Sequence, residues 1–387
     1  MNDFSLTDEL FSKTYGSKPE RHFLSYGRIE ILGNHTDHQG GKCLVAACDL
    51  SIKASVSLSD RIEIISNGYS SYSFDLSDLE MKEKEKGTSL GITRGVLKYV
   101  KDNGYRIGGF KAALDSDIYA GAGVSSSAAF EILIGEIVNA LYNDEKISRL
   151  TLAKAGQYAE NVYYGKPSGL LDQCGSSFGG VSYVDFHGEA KVEKILFPSS
   201  WDISIYLVNP GASHQGFDGL YASIPNDMRN AAKKIAGKNR LSDLSKGEFL
   251  QKAYQNPDIL PLERDRAIHY YEEVERVERA FSAIEGKNLE WFLECVRETE
   301  LSQEALLRNV MCEGHYDGSP LEAVNIARTV LKKGASRCMG GGFFGSIICF
   351  VSKDEEKAFL DKMTSRYGEK VIKKVSIPDE GAHEVRE

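Results

Sequence analysis

The stretch Gly121-Ala122-Gly123-Val124-Ser125-Ser126-Ser127-Ala128-Ala129 decides how this chain is read. Its small residues run directly into a segment, Val124 to Tyr142, whose apolar positions Ala129, Ile132, Leu133, Ile137, Ala140 and Leu141 share one helical face. Free backbone N–H groups at a helix start, together with the helix dipole, attract an anion. Glycines let a backbone approach phosphates closely, and serine hydroxyls can donate to phosphate or ligate Mg²⁺. Ordinary capping by serine is the plainer explanation, but three consecutive serines behind Gly-x-Gly exceed what a cap needs. No Gly-Lys-Ser/Thr follows, so this is not a Walker A loop.

Upstream, residues Arg28 to Leu50 read as strand, Gly-bearing loop, strand. Downstream, Thr151 to Tyr164 reads as a helix, and residues 180–184 and 203–208 as strands. The pattern is helical with charged faces from Pro225 to Gly286 and from Leu289 to Lys333, then returns to strand at Ser346 to Val351. Strands and helices mix without strict βαβ alternation, which predicts an α+β fold. The charge run Met81-Lys82-Glu83-Lys84-Glu85-Lys86-Gly87 reads as a solvated surface. A length of 387 residues suggests two domains, with a boundary near residue 187.

Three more segments carry chemistry. Residues 27–41, Gly-Arg-Ile-Glu-Ile-Leu-Gly-Asn-His-Thr-Asp-His-Gln-Gly-Gly, pack charged and amide groups into a short loop between apolar runs, the profile of a polar-ligand pocket. His35 and His38 within it have poor spacing for zinc. Residues 163–173, Tyr-Tyr-Gly-Lys-Pro-Ser-Gly-Leu-Leu-Asp-Gln, place Asp172 in an otherwise apolar, Gly-bounded turn, as turn former or functional base. Residues 339–345, Met-Gly-Gly-Gly-Phe-Phe-Gly, precede a strand instead of following one, which is the wrong context for a dinucleotide fingerprint. A loop closing over a ligand fits them better.

The net charge is −9, from 47 basic and 56 acidic residues, so a general nucleic-acid binder is disfavoured and any anion must be held locally. The N-terminus is acidic with no apolar core, unlike a secretory signal, and no apolar run approaches membrane-helix length. Seven cysteines without a Cys-x-x-Cys pair argue against a disulfide framework, and a reduced cytoplasm is expected.

Taken together and in this order, the four segments resemble the GHMP kinase superfamily and, within it, galactokinase. Residues 27–41 are similar to the signature Gly-Arg-Val-Asn-Leu-Ile-Gly-Glu-His-Thr-Asp-Tyr-Asn-Gly-Gly, and residues 121–128 to the phosphate loop Gly-x-Gly-Leu-Ser-Ser-Ser-Ala. Ser168 to Gln173 are similar to Cys-Gly-Ile-Met-Asp-Gln, and the third Gly-rich segment to Arg-Met-Thr-Gly-Gly-Gly-Phe-Gly-Gly. The resemblance spans residues 27 to 351 and implies two lobes, 1–187 and 188–387, with an active site between them. It implies ATP as co-substrate, Mg²⁺, a sugar substrate and a monomer.

Residue by residue, the resemblance makes Asp172 the catalytic aspartate and Arg28 its neighbouring arginine. Ser127 and Glu160 become Mg²⁺ ligands. Gly121, Ala122, Gly123, Val124, Ser125, Ser126 and Ser127 wrap the ATP phosphates. Asn34, His35, Asp37, Gly169 and, in a looser alignment, Tyr221 join Arg28 and Asp172 around the sugar. Arg28 would keep Asp172 ionised to accept the anomeric hydroxyl proton, or would itself stabilise the transferring phosphoryl group.

Departures bear on substrate choice. Asn34 stands where galactokinases have Glu, removing a charge that would repel a C6 carboxylate, and His38-Gln39 replace Tyr-Asn. Plant galacturonate kinases share the Asp-His-Gln-Gly-Gly string. Galactose is the first expectation and galacturonate the alternative. A non-catalytic sugar and ATP sensor is a further one, disfavoured by the intact Ser127-Ala128 pair. Phe344 replaces a loop glycine, and Cys338-Met339 replace Met-Thr. The base contacts are left unassigned, because residues 90–96 lack the Trp-x-Asn-Tyr-Val pattern.

Overall fold

Strand β1, Arg21–Leu32, is buried over nearly its whole length, and the larger sheet is laid out around it. The computed structural model describes residues 3–119, 122–211 and 218–386. β1 pairs antiparallel with β2, Lys42–Ser59, across the Gly-bearing loop expected from the sequence. β3 (Ile62–Ser66), β4 (Tyr69–Phe74), β5 (Gly109–Ser116), β6 (Val181–Asp185) and β7 (Lys191–Ile195) complete this part of the sheet, with β3 and β5 parallel and the other pairs antiparallel. A second, four-stranded antiparallel sheet is built from β8 (Ile203–Val208), β9 (Ala335–Cys338), β10 (Ile347–Ser352) and β11 (Ile372–Val375), in the order β11-β8-β10-β9. β12, His383–Val385, returns to pair with β1. β7 lies beyond residue 187 yet belongs to the larger sheet, and β12 rejoins it from the far end of the chain.

The helices are α1 (Ser5–Tyr15), α2 (Ser89–Asp102), α3 (Ser126–Tyr142), α4 (Arg149–Tyr158), α5 (Leu171–Phe178), α6 (Asp218–Ala236), α7 (Lys246–Ala253), α8 (Pro261–Glu285), α9 (Leu289–Ser302), α10 (Pro320–Val330) and α11 (Glu356–Tyr367). Helices plus mixed and antiparallel sheets make the fold α+β. α3 packs between β1, α4 and α5, and buries more than the one expected face: Ile134 and Val138 are enclosed along with Ile132, Leu133 and Ile137. Each such side chain contributes about 1.5–3 kcal/mol of burial free energy, so Ile132→Ala is disruptive here in a way no surface change would be.

Several sequence expectations change on folding. The helical stretch 225–286 is three helices, because Ser245 caps α7 and Pro261 opens α8 at a position where its missing N–H costs nothing. The stretch 289–333 is broken by a π-helical turn at Gln303–Leu307 and a loop before Pro320. The 81–87 charge run is not wholly solvated: Glu85 is buried, and its carboxylate binds Nε of the equally buried Arg94 at 2.8 Å. Asp172 sits not in a turn but in the first turn of α5, where a helix N-terminus favours a negative charge.

Candidate active site

The loop before α3 lies against β1. Ser125, at the N-cap position, has a left-handed backbone (φ 55°, ψ 73°), and its side chain makes no capping hydrogen bond. Ordinary capping therefore does not explain the serines. A left-handed non-glycine residue is strained by about 1–3 kcal/mol, and the strain sits where the α3 N–H groups open. Gly27 on β1 makes the seat: an added Cβ there would lie 2.8 Å from Val124 Cγ2 and 2.9 Å from Val124 O. Arg28 N donates to Val124 O at 2.8 Å, and Arg28 Nη1 donates to Gly123 O. Ala122 to Ser127 line one cavity with Arg28 and Asp172; Gly121 lies outside the described residues.

Arg28 and Asp172 form a two-pronged pair, Nε to Oδ1 and Nη2 to Oδ2, both 2.7 Å. Arg28 is buried, while the Asp172 side chain keeps 30% of its surface open. Burial alone would raise the Asp172 pKa, but the Arg28 charge, its hydrogen bonds and the Ser125 hydroxyl outweigh it and hold the carboxyl below its usual range. The pair stands at the junction of two cavities. One is the phosphate-loop cavity; the other is polar and lined by Glu30, Asn34, His35, Asp37, His38, Gly169 and Tyr221. At its other end the phosphate-loop cavity shares Ser126 and Ser127 with an apolar pocket walled by Ile52, Tyr72, Ile92, Leu114, Phe130 and Tyr164. The result is one trough, apolar at one end, cationic and N–H-rich in the middle, polar at the other.

Glu160 lies in a π-helical turn, Ala159–Tyr164, that continues α4; such turns often re-aim functional side chains. Its Oε1 accepts from Ser127 Oγ at 3.0 Å and from Lys166 Nζ at 3.1 Å. Gln173 Nε2 bridges Glu160 Oε2 and the buried Glu131. Ser127 and Glu160 thus supply two hard oxygen ligands beside the phosphate loop, a set that suits Mg²⁺ completed by substrate phosphates. Among the described residues no cluster of three or more His, Cys, Asp or Glu could hold a metal alone. Lys166, which lines the phosphate-loop cavity, was given no role from the sequence; its place in the Gly-Lys-Pro turn beside Glu160 was the available signal.

In the polar cavity, Asp37 begins a short 3-10 turn and lies against Gly169, where an added Cβ would overlap its Oδ2. Burial pushes the Asp37 pKa up, against the pull of His35 and backbone N–H groups. His35 Nε2 donates to Gly341 O at 3.2 Å, so its Nδ1 accepts from His38 Nε2, and His38 Nδ1 accepts from Gln39 Nε2. That is a chain of two neutral rings, their pKa values lowered by burial to about 4 and about 3. Tyr221, on α6, lines both cavities, and its hydroxyl meets Gly342 O at 3.4 Å.

Asn34 differs most from expectation. It is enclosed, and its four hydrogen-bond positions are taken: Nδ2 donates to Glu30 Oε1 and Gly340 O, and Oδ1 accepts from Gln303 Nε2 and Asn309 Nδ2. These partners, from β1, the turn after α9 and the third Gly-rich loop, were not visible in the sequence, since three of them lie more than 260 positions away.

The family description "GHMP kinases N terminal domain" matches residues 91–180, and the "Galactokinase galactose-binding signature" matches residues 9–58. The chain is a galactokinase-like member of the GHMP kinase superfamily. The galactokinase of Clostridium tetani is 29% identical over 366 residues, covering 92% of this chain and 90% of its own length. That of Ligilactobacillus salivarius is 27% identical over 382 residues, 95% of each chain. Among solved structures, Lactococcus lactis galactokinase complexed with galactose superposes with a TM-score of 0.81 at 25% identity and 98% coverage of both chains. A mevalonate kinase, at 17% identity and TM-score 0.65 over 93% of this chain and all of its own, shares the fold.

Proposed function

We propose that this galactokinase-like protein transfers the γ-phosphoryl group of ATP to the anomeric hydroxyl of galactose, giving galactose 1-phosphate and ADP. The observation that carries the reading is the Arg28–Asp172 pair at the junction of a phosphate-type cavity and a polar, sugar-sized one. The base would lie in the apolar pocket, the phosphates over the α3 N–H groups, and the sugar between Asp37, Gly169 and Tyr221.

Phosphoryl transfer rests on positioning and charge stabilisation. The anomeric oxygen attacks the γ-phosphorus, the bond to the β–γ bridging oxygen breaks, and the hydroxyl proton passes to Asp172. A carboxylate held below its usual pKa is a weak base. Its part is to orient the hydroxyl and take the proton late, as bonding to phosphorus makes that proton acidic. Arg28 fixes both carboxylate oxygens and brings positive charge to the reacting centre. Ser127 and Glu160 would hold Mg²⁺, which when bound neutralises phosphate charge. Lys166 adds a cation on the same side.

The galacturonate alternative depended on a sugar pocket without a carboxylate at position 34. Glu30 lines that same cavity, so a negative charge is present after all, and this supports a neutral sugar. A sensor role is disfavoured by the joint presence of Arg28, Asp172, Ser127 and Glu160. The proposal includes a reducing cytoplasm, in keeping with cysteines that are buried and free, and a monomer, as the resemblance implies. The test is ADP release by the purified protein with galactose, galacturonate, N-acetylgalactosamine, glucose and glucuronate. Turnover led by galactose is expected; turnover led by a uronate, or none, overturns the reading.

A further inference from the structure

We propose that Glu30, not Asn34, is the sugar-reading residue of this chain: its carboxylate accepts a hydroxyl on the rim of the sugar remote from the anomeric carbon. Glu30 is 6% exposed and lines the polar cavity. Both of its hydrogen bonds fall on one oxygen: Oε1 accepts from Asn34 Nδ2 at 2.9 Å and from Arg337 Nη2 at 2.7 Å. Oε2 accepts none among the described residues and is not sealed off. Asn34 has the opposite character, with every donor and acceptor already spent on protein partners. In the signature that residues 27–41 resemble, these two places hold Asn and Glu in the reverse order. The pair is exchanged here, and the carboxylate is moved from the turn after β1 back onto the strand, not lost.

Three observations make the exchange self-consistent. The buried Arg337 holds Glu30 through both its carboxylate and its backbone oxygen, so the charge has a permanent counter-ion. Asn34 is pinned between Glu30 and the third Gly-rich loop, which fixes the Glu30 rotamer and directs Oε2 away from the protein partners. Arg28 and Glu30 pair regularly with Ala47 and Val45, so both side chains stand on one face of β1, about 7 Å apart along the strand. A pyranose measured between its outermost hydroxyl oxygens has a similar span. With the anomeric hydroxyl at Asp172, the far rim meets Glu30. An ionised acceptor there favours a hydroxyl and repels a carboxylate on the same rim.

This inference rests on the galactose-kinase reading, and the experiment separates the two. Steady-state kcat/KM is measured for wild type and Glu30→Gln with galactose, its 3-, 4- and 6-deoxy analogues, and galacturonate. Glu30→Gln keeps the shape and the Asn34 and Arg337 neighbours. For wild type, one deoxy analogue loses about 10-fold or more, the scale of a hydrogen bond to a charged group. In Glu30→Gln that loss shrinks at least threefold for the same analogue only, the preference for galactose over galacturonate narrows, and kcat on galactose holds while KM rises. A change that merely loosened the fold would lower all sugars together and would not couple to one hydroxyl. Equal losses for every analogue in both proteins, or an unchanged galacturonate ratio, overturn the assignment of Glu30 while leaving the kinase intact. No turnover of galactose by wild type overturns the kinase reading and this inference with it.

Discussion

At the scale of single residues, the site depends on geometry that charge alone does not supply. Arg28 meets Asp172 with two parallel N–H donors and reaches the Gly123 carbonyl with a third. A lysine has a point charge and no such fork. Arg28→Lys is therefore expected to lower kcat about 100-fold with little change in stability; activity within threefold of wild type would show that the charge suffices. The carboxylate at position 30 illustrates what the sequence did and did not reveal. Strand periodicity puts Arg28 and Glu30 on the same face, opposite the core residues Ile29 and Ile31, so Glu30 was within reach of the pattern. Asn34 could not be judged the same way. Its availability depends on Gln303, Asn309 and Gly340, which only folding brings to it.

At the scale of elements, the order of Gly-rich segments was legible because each needs a local backbone geometry that few residues allow. α3 and the loop joining β1 to β2 appear where apolar spacing put them, while β1 starts at Arg21, ahead of the expected Arg28, and β2 runs on to Ser59. Short strands with a clean apolar run, such as β6, β8 and β10, were legible; the short helix α5 was not, because it has eight residues and its turns are hidden among glycines. The broken helices after residue 225 looked continuous because charged faces persist across the breaks. The contact between β1 and the phosphate loop gives an element-scale prediction. Gly27→Ala places a methyl group on the Val124 backbone and side chain, which pushes the loop off its seat. ATP affinity by calorimetry should fall about 10-fold, while galactose affinity changes little. Unchanged ATP affinity would mean the loop is not held by this seat.

At the scale of the whole molecule, α8 and α9 are tied to the loop joining β1 to β2 through buried polar groups. His269 on α8 is fully enclosed; its ring bonds Ser302 Oγ at 2.8 Å and the Asn34 carbonyl at 3.1 Å. Burial lowers its pKa to about 4. A group held neutral in the fold but basic when unfolded gives stability that is whole above pH about 6.5 and drains away as pH falls toward 4, by about 3 kcal/mol at most. Glu273, opposed by burial but held by the Arg276 and Arg337 charges and the Gly33 N–H, has its pKa lowered to about 2. Its stabilisation is lost lower, from about pH 4.5 downward. Urea unfolding should therefore show lower stability at pH 5 than at pH 7, and His269→Gln should flatten that slope; equal slopes would remove His269 from the account. On the proposed reading the net charge of −9 is no obstacle to binding a polyanion, because Arg28, Lys166 and the start of α3 line one cavity and would act locally. The most direct measurement is ³¹P NMR of the product formed from ATP and galactose by wild type and by Asp172→Asn, with ATP affinity measured in parallel. An anomeric sugar phosphate from wild type, cut at least 1,000-fold in Asp172→Asn with ATP binding retained, is the predicted result. Phosphate on another hydroxyl, or full activity in Asp172→Asn, would contradict the account.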